Sequence, residues 1–191
     1  MGAPAVSTSP LVRRYRLDEF FALAPPLDGG RYELIAGVLY MSPPPGGPHH
    51  IAVSRLNLVL AAYAREHPDR CILFVPSAAV WTPADTYLLP DLFMVRSEQV
   101  EAMGAGSLAT ADLVVEILSP STAHYDRTTK ADTYAALGVR ELWLVDLERR
   151  TIEQRVLSDG GWRVDGVHAG DTIVRAASFP ELTVRVADVF A

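Results

Sequence analysis

The sequence predicts an α/β domain that ends in an antiparallel meander, and three patterns carry this prediction. Short apolar runs such as Leu113 to Leu118 and Glu141 to Asp146 are typical of buried strands. Apolar residues recur at helical spacing between Pro48 and Glu66, whereas they alternate with polar residues between Thr151 and Leu157. With 191 residues, 49% of them hydrophobic, the chain is long enough to bury one sizeable core.

The N-terminal part predicts a tail, a short helix, a hairpin and one long helix. Residues 1–12 are rich in Ala, Ser and Pro, so we expect a flexible tail there and a single domain over residues 13–191. Acidic residues ahead of apolar ones favour a helix from Leu17 to Leu23, which two prolines end. The segment from Tyr32 to Met41 predicts a hairpin that turns at its Ala-Gly pair. A loop rich in Pro and Gly then leads into the helix from Pro48 to Glu66.

The middle of the chain predicts strands joined by a polar crossover. We expect strands from Cys71 to Val75 and from Leu88 to Val95, with Ala78 to Trp81 continuing the first strand or pairing with it. Asp91 interrupts the second strand. The segment from Arg96 to Thr110 is polar and is expected to be a crossover that contains a helix, or a mobile loop.

The central stretch of the prediction is Asp112 to Lys130, with the sequence DLVVEILSPSTAHYDRTTK. Glu116 lies in the middle of the apolar strand Leu113 to Leu118, where a buried carboxylate needs a partner. Asp126 is placed to cap a helix that runs to about Leu137, so Lys130 falls near the first turn of that helix. A lysine is disfavoured at that end of a helix unless it faces negative charge, and Lys130 is the single lysine of the chain.

The C-terminal part predicts the antiparallel meander. After a helix stop at Gly138, strands are expected at Glu141 to Asp146, Thr151 to Leu157 and Trp162 to Val167, with short polar turns between them. Leu182 to Phe190 is expected to form a strand and a short helix that pack on an edge. The sequence contains no internal repeat and no composition shift that would mark a second domain.

Composition excludes several classes of protein. The formal charge of −6 argues against a simple DNA-binding module, so any contact with nucleic acid has to come from a local patch, for which Arg55, Arg65 and Arg127 are candidates. The single cysteine, Cys71, excludes an internal disulfide and a cysteine-built zinc site, and suits a reducing cytosol. Neither a membrane span nor a signal region is visible, so we expect a soluble, cytoplasmic protein.

Asp91 and Glu116 are two carboxylates embedded in apolar strands that the chain order allows to lie side by side. Two buried carboxylates would repel one another, whereas a hard cation such as Mg²⁺ or Mn²⁺ would satisfy both. Such a cation polarises a phosphodiester and lowers the pKa of bound water, and the ammonium of Lys130 is placed to neutralise the transition state. On these residues alone, satisfied polar groups at strand ends are an equally acceptable interpretation of the two acids, and an ordinary exposed helix residue is the preferred interpretation of Lys130.

Eight short segments of the chain occur in a specific order. They are YELIAG, MSPPP, His49 ahead of a long helix, LPDLFMV, DLVVEILSPS, YDRTTK, YAALGV and ELWLVD. In this order, over roughly Leu17 to Leu157, they resemble the Uma2 family, bacterial proteins labelled as restriction endonucleases with the PD-(D/E)XK nuclease fold. The resemblance implies a restriction-endonuclease-like mixed β-sheet core flanked by helices.

The resemblance also implies roles for five residues. Asp91 corresponds to the acid of the PD pair and Glu116 to the acid of the second motif, which implies metal binding by both and by the main-chain carbonyl of Ile117. The common nuclease pattern has a lysine two residues after the second acid, where this chain has a leucine. The family supplies that lysine from the following helix, here Lys130. Glu33 matches an early acidic position, which implies an extra ligand or a water-orienting base.

The sequence therefore predicts a Mg²⁺- or Mn²⁺-dependent endonuclease that acts on DNA, and a homodimer would suit cleavage of both strands. The rival hypothesis is a nuclease-like fold that no longer cleaves and serves as a nucleic-acid- or protein-binding module, and hydrolysis of a small phosphorylated molecule is a third. Ser119 and Ser121 are interpreted as loop and capping residues because no G-x-S-x-G context surrounds them. His49 matches a recurrent position of the family to which the sequence assigns no role.

Overall fold

The computed structural model describes residues 12–103 and 108–191, so the tail expected at residues 1–12 lies, apart from its last residue, outside the described residues. The helices are Leu17–Phe21 (α1), Gly47–Glu66 (α2), Ser97–Met103 (α3), Ala123–Tyr125 (α4), Ala131–Ala136 (α5) and Val186–Phe190 (α6), and a π-helical turn, Asp126–Lys130, joins α4 to α5. The strands are Arg31–Ile35 (β1), Val38–Ser42 (β2), Cys71–Phe74 (β3), Val80–Thr82 (β4), Thr86–Leu88 (β5), Leu92–Arg96 (β6), Leu113–Leu118 (β7), Glu141–Asp146 (β8), Thr151–Ser158 (β9), Gly161–Ala169 (β10), Ile173–Arg175 (β11) and Thr183–Arg185 (β12).

The main sheet has six strands in the order β10-β9-β8-β7-β6-β3. Only β7 and β8 pair in parallel among these neighbours, because α4, the π-helical turn and α5 carry the chain back between them. The other neighbours are antiparallel, and β8, β9 and β10 form the predicted meander. The mixed sheet flanked by helices is thus confirmed.

Both faces of the sheet are covered, which explains why its central strands are apolar without alternation. Trp143 and Val145 of β8 pack in one core with Leu56 and Leu60 of α2. Leu142, the neighbour of Trp143 in the strand, packs in the opposite core with α5. The C-terminal strand and helix predicted from Leu182 to Phe190 are present; they pack in the α2 core, and α6 also contacts β10, the edge strand of the main sheet.

A second sheet, in the order β2-β1-β5-β4, positions the N-terminal acid. The predicted hairpin is confirmed as β1 and β2, and its two turn residues, Ala36 and Gly37, have φ angles of 47° and 78°. Positive φ at both central residues is the geometry of the tightest hairpin turns. The inner residues of β1, including Glu33, are buried.

Two strand predictions need correction. The strand expected from Leu88 to Val95 is two strands, because β5 ends at Leu88 and β6 begins at Leu92. Pro90 lies in the break, where it has no N–H to donate to a ladder, and Asp91 therefore precedes β6 instead of interrupting it. The segment from Ala78 to Trp81 neither continues β3 nor pairs with it, since β4 pairs with β5 in the second sheet.

The helix after β7 begins earlier than predicted. Its first segment starts at Ala123, and the N–H of Asp126 donates to the carbonyl of Thr122 at 2.9 Å. Asp126 is consequently a buried residue of the π-helical turn and not a helix cap. Lys130 is the last residue of the π-helical segment. It lies about two helical repeats after the stretch begins at Ala123, and not in the first repeat as predicted. In the part of the chain that the structure describes, no helix combines the length and apolarity that a bilayer crossing requires.

Candidate active site

The five residues predicted for the site line one cavity of about 160 Å³. Glu33 comes from β1, Asp91 from the break before β6, Glu116 and Ile117 from β7, and Lys130 from the π-helical turn. The side chains of the three acids and the lysine are buried, each residue being only 3–4% exposed. Four separate elements of the chain therefore bring three carboxylates and one amine to the same place.

Lys130 lies between two of the acids. Its Nζ is 2.8 Å from Oε1 of Glu116, 3.1 Å from Oε1 of Glu33 and 3.4 Å from the carbonyl oxygen of Leu89. Burial by itself would lower the pKa of the amine, but the charges of Glu116, Glu33 and Asp126 outweigh burial and hold the pKa of Lys130 well above its ordinary value. The lysine is a fixed cation of the cavity.

Asp91 is held by two donors on the same oxygen. Oδ2 accepts a hydrogen bond from the main-chain N–H of Ile117 at 2.9 Å and lies 3.0 Å from Nε2 of His49. The other oxygen, Oδ1, is 3.6 Å from Arg31. Burial opposes ionisation, yet the hydrogen bond from His49 and the charges of His49 and Lys130 outweigh it and lower the pKa of Asp91. This carboxylate is ionised at neutral pH.

The surroundings of Glu116 disfavour its ionised form, in contrast to those of Asp91. Its Oε1 accepts a hydrogen bond from the hydroxyl of Tyr134 at 2.5 Å, in addition to its contact with Lys130. Burial raises the pKa of Glu116 well above its ordinary value, and the neighbouring acids add to this effect while Lys130 opposes it. Glu116 therefore needs more compensating positive charge than Lys130 alone supplies.

Glu33 is engaged through both carboxylate oxygens. Oε1 accepts a hydrogen bond from the N–H of Leu89 at 2.7 Å, and Oε2 accepts one from the hydroxyl of Tyr125 at 3.2 Å. Because Oε1 also faces Lys130, Glu33 is arranged to hold the amine in place.

Comparison with known proteins identifies the family. The Uma2 family model, described as "Putative restriction endonuclease", matches residues 17–187. The chain belongs to the Uma2 family. A crystal structure described as that of a putative nuclease belonging to DUF820 from Anabaena variabilis ATCC 29413 is similar to the Uma2 protein, with a TM-score of 0.74 and 22% sequence identity over 92% of this chain and 97% of that chain. At this identity the likeness shows the fold, and it confirms the nuclease-like architecture. A comparison with curated proteins gives no match.

Several partners of the acids were not predicted from the sequence of this Uma2 protein. His49 contacts Asp91, Tyr134 donates to Glu116 and Tyr125 donates to Glu33. For Tyr134 the sequence contains one signal. Tyr134 follows Lys130 by four residues, and residues four apart lie on the same face of a helix.

The arginines proposed as a local patch do not line the cavity. Arg127 donates to Asp146 at 2.9 Å and to Glu153 at 2.5 Å, while Arg55 donates to a carbonyl near the C-terminus. Arg65 lies in the last turn of α2, outside the cavity. The arginine that does line the cavity is Arg31, which the sequence did not single out.

The oxygen donors expected to bind a metal in the cavity are of the chemical type that suits a hard divalent cation. Within residues 12–103 and 108–191, no group of three or more His, Cys, Asp or Glu side chains is arranged to hold a metal ion. The expected ligand set is different, since it contains only two carboxylates, of Asp91 and Glu116, and a main-chain oxygen. In an extended strand the N–H and C=O of one residue point to the same side, so the carbonyl of Ile117 faces the side on which its N–H meets Asp91. These three oxygen donors are of the type that Mg²⁺ and Mn²⁺ prefer.

Proposed function

We propose that this Uma2 protein is a metal-dependent nuclease that hydrolyses phosphodiester bonds of DNA. The observation that carries the proposal is the ion pair of Lys130 with Glu116, 2.8 Å apart, in the cavity that also contains Asp91. An amine and two acids of different proton affinity are the groups that phosphodiester hydrolysis uses. The family description, which names a restriction endonuclease, supports a nucleic acid as the substrate.

In this proposal Asp91, Glu116 and the carbonyl of Ile117 would hold Mg²⁺ or Mn²⁺. The cation would supply Lewis acidity toward the phosphoryl oxygens and toward water. Asp91 is prepared for this role because its Oδ2 is already engaged by His49 and by Ile117, which leaves Oδ1 as the oxygen that would bind the cation. Glu116 is prepared because burial disfavours its ionised form unless further positive charge is near.

Lys130 would provide the positive charge that the substrate meets. Its raised pKa keeps the amine protonated, so it is assigned to stabilise charge on the phosphoryl oxygens and to orient the attacking water, and not to accept a proton. Glu33 would hold Lys130 in place, because both of its oxygens already accept hydrogen bonds. A role of Glu33 as water-orienting base would require it to give up one of these bonds.

Cleavage of supercoiled plasmid tests the proposal. We expect the wild-type protein to nick plasmid with Mg²⁺ or Mn²⁺ and to stop with EDTA, and Asp91→Ala and Lys130→Ala to lose on the order of 10²-fold or more of the rate. Asp132→Asn, an exposed acid on the helix that follows Lys130, is the matched control and should keep the rate. Nicking that persists in Asp91→Ala or Lys130→Ala protein would refute the assignment. Folded wild-type protein that neither cleaves nor binds Mn²⁺ in calorimetry would favour the binding-module alternative.

We also propose that the protein works in the cytoplasm as a homodimer. Cys71 is a buried free thiol, which suits a reducing compartment. Two symmetric sites would serve cleavage of both strands of a duplex. Light scattering of the purified protein at micromolar concentration tests the dimer, and a monomer mass over the whole concentration range would exclude it.

A further inference from the structure

We infer that a groove beside the catalytic cavity binds an unpaired nucleobase, so that the strand is single at the point of cleavage. This inference rests on the proposed nuclease function and specifies its substrate. The base groove, as we name it, has a volume of about 310 Å³ and is lined by Tyr40, Met41, His124, Tyr125 and Thr129. That volume lies at the lower end of small-molecule sites, which range over roughly 300–1,000 Å³.

The base groove and the catalytic cavity are neighbours. They share four lining residues, Ser42, Pro43, Ser121 and Thr122. The hydroxyl of Tyr125, in the wall of the groove, donates to Glu33, which in turn contacts Lys130 in the cavity. A base and a phosphate of one strand are likewise adjacent, so a base in the groove would bring a phosphate of its strand to the cavity.

The groove has the side chains that bind the flat face of a base. Tyr40 of β2 and Tyr125 of α4 stack on one another, with ring centroids 4.9 Å apart and planes 29° apart. Both rings are only partly buried, and Met41 beside them is 63% exposed. Aromatic rings stack on bases irrespective of sequence, and the polarisable thioether of methionine adds a contact to aromatic faces.

The cavity and the surface favour a strand that is unpaired where it is cleaved, so a duplex such as the plasmid above would have to open at that point. Glu116 and Lys130 are almost completely buried, and the bases of a duplex lie inside its stack where the base groove cannot reach them. A duplex also needs a basic surface along its backbone. Seven exposed arginines of the described residues are instead paired with carboxylates, namely Arg13, Arg16, Arg70, Arg140, Arg149, Arg163 and Arg185.

Binding measured without cleavage separates this inference from the nuclease proposal. Fluorescence anisotropy in EDTA compares a labelled single-stranded DNA 12-mer with a hairpin duplex of the same sequence. We expect the single strand to bind at least tenfold more tightly, Tyr40→Leu to weaken its binding by roughly tenfold and Tyr40→Phe to bind within roughly twofold of wild type, since stacking needs the ring and not the hydroxyl. If Tyr40 and Tyr125 only pack the rim of the core, the leucine variant will bind like wild type.

A second variant keeps the test decisive if Tyr40→Leu is unstable. Met41→Glu places a negative charge in the base groove at an exposed position, and Met41→Gln is its neutral control. We expect Met41→Glu to weaken single-strand binding with unchanged thermal unfolding and unchanged duplex binding. Equal affinities for single strand and duplex, or single-strand binding that survives both Tyr40→Leu and Met41→Glu, would overturn the inference. If single-stranded DNA binds through Tyr40 but no metal-dependent cleavage occurs, the result would support the base groove and refute the nuclease proposal.

Discussion

His49 Nε2 lies 3.0 Å from Oδ2 of Asp91, and both side chains are buried. The histidine is in the first turn of α2, directly after Pro48, so its backbone is well fixed. The same Oδ2 accepts the N–H of Ile117. Two elements, α2 and β7, therefore supply the contacts that orient this carboxylate, and we propose that His49, to which the sequence assigns no role, positions Asp91.

His49→Ala should weaken metal binding, because Asp91 then loses a donor that orients it. Removal of such an orienting partner typically costs about 10–100-fold in metal affinity or activity. His49→Gln should keep more of the affinity, since the glutamine amide can donate from about the position of Nε2. Isothermal titration with Mn²⁺ measures the effect, and His50→Ala, an exposed neighbour, is the control. Wild-type affinity in His49→Ala would exclude the positioning role.

Tyr134→Phe should destabilise the protein, because it removes the 2.5 Å hydrogen bond to Glu116 and keeps the ring. Hydrogen bonds to charged groups contribute about 1.5–3 kcal/mol, so we expect a loss of that size in the free energy of unfolding, measured by urea denaturation. The pKa of Glu116 should rise further, because the hydroxyl favours the ionised carboxylate. Tyr87→Phe, in the aromatic cluster of the N-terminal helix, is the control. Equal losses in both variants would mean that the bond to Glu116 has no special value.

The sequence could predict that these side chains lie together, because each of them differs in chemical type from its neighbours in the chain. Glu116 is charged within an apolar strand, and Lys130 is the single lysine. The break between β5 and β6 was not predicted, because apolar residues continue on both sides of Pro90 and Asp91. Pro90 has no N–H to donate to a neighbouring strand, which was the available signal for the break. The neutralisation of Arg127 could not be predicted, since Asp146 and Glu153 reach it from strands distant in the chain. Pairing between remote segments leaves no periodic signal.

Asp126→Asn should stabilise the protein at neutral and higher pH. Burial raises the pKa of Asp126, although Lys130 and a hydrogen bond with Thr122 oppose the shift. The folded state therefore binds a proton at Asp126 more tightly than the unfolded state, and stability is lost as pH rises from the ordinary aspartate pKa through the raised one. Asparagine removes this loss, so the variant should gain about 0.5–2 kcal/mol at pH 8. Near pH 3 the carboxyl group of Asp126 should be protonated in both the folded and the unfolded wild-type protein. The gain in stability measured by urea denaturation should therefore vanish at that pH. A gain independent of pH would contradict the explanation.

Glu141→Gln should have the opposite effect, although Glu141 is also buried. Its carboxylate accepts hydrogen bonds from Trp143, Gln154 and the N–H of Ser178, each at 2.7 Å. A glutamine would present an N–H group to one of these donors, which should cost about 1–3 kcal/mol of stability in urea denaturation. Since Glu141 lies outside the cavity that contains Asp91 and Glu116, Mn²⁺ affinity should be unchanged. If Glu141→Gln stabilised the protein, burial of the carboxylate, and not the loss of a hydrogen bond, would decide whether an amide is stabilising at Glu141 and at Asp126.

Lys130→Met should be strongly destabilising at pH 8 and less so at pH 5. Methionine fills a similar volume without charge, which leaves Glu116 and Glu33 buried without the cation that contacts both. Removing one partner of a buried ion pair costs about 3–5 kcal/mol. The raised pKa of Lys130 means that the wild-type contribution is complete below the ordinary lysine pKa and is lost only as pH rises through the raised value, so it is fully present at pH 8. In the variant the buried carboxyl group of Glu116, whose pKa is already raised by burial, should take up a proton as pH falls, and stability should partly return.

Mn²⁺ provides a second readout of the same variant. If Asp91 and Glu116 bind the cation, its charge should replace part of what Lys130→Met removes, and the thermal unfolding temperature at pH 8 should rise with Mn²⁺ concentration. The double variant Lys130→Met with Asp91→Asn should lose this rescue, because one of the ligands is then neutral. Rescue of the single and the double variant to the same extent would place the Mn²⁺ site away from Asp91. Wild-type stability of Lys130→Met at pH 8 would show that the amine does not compensate the buried acids.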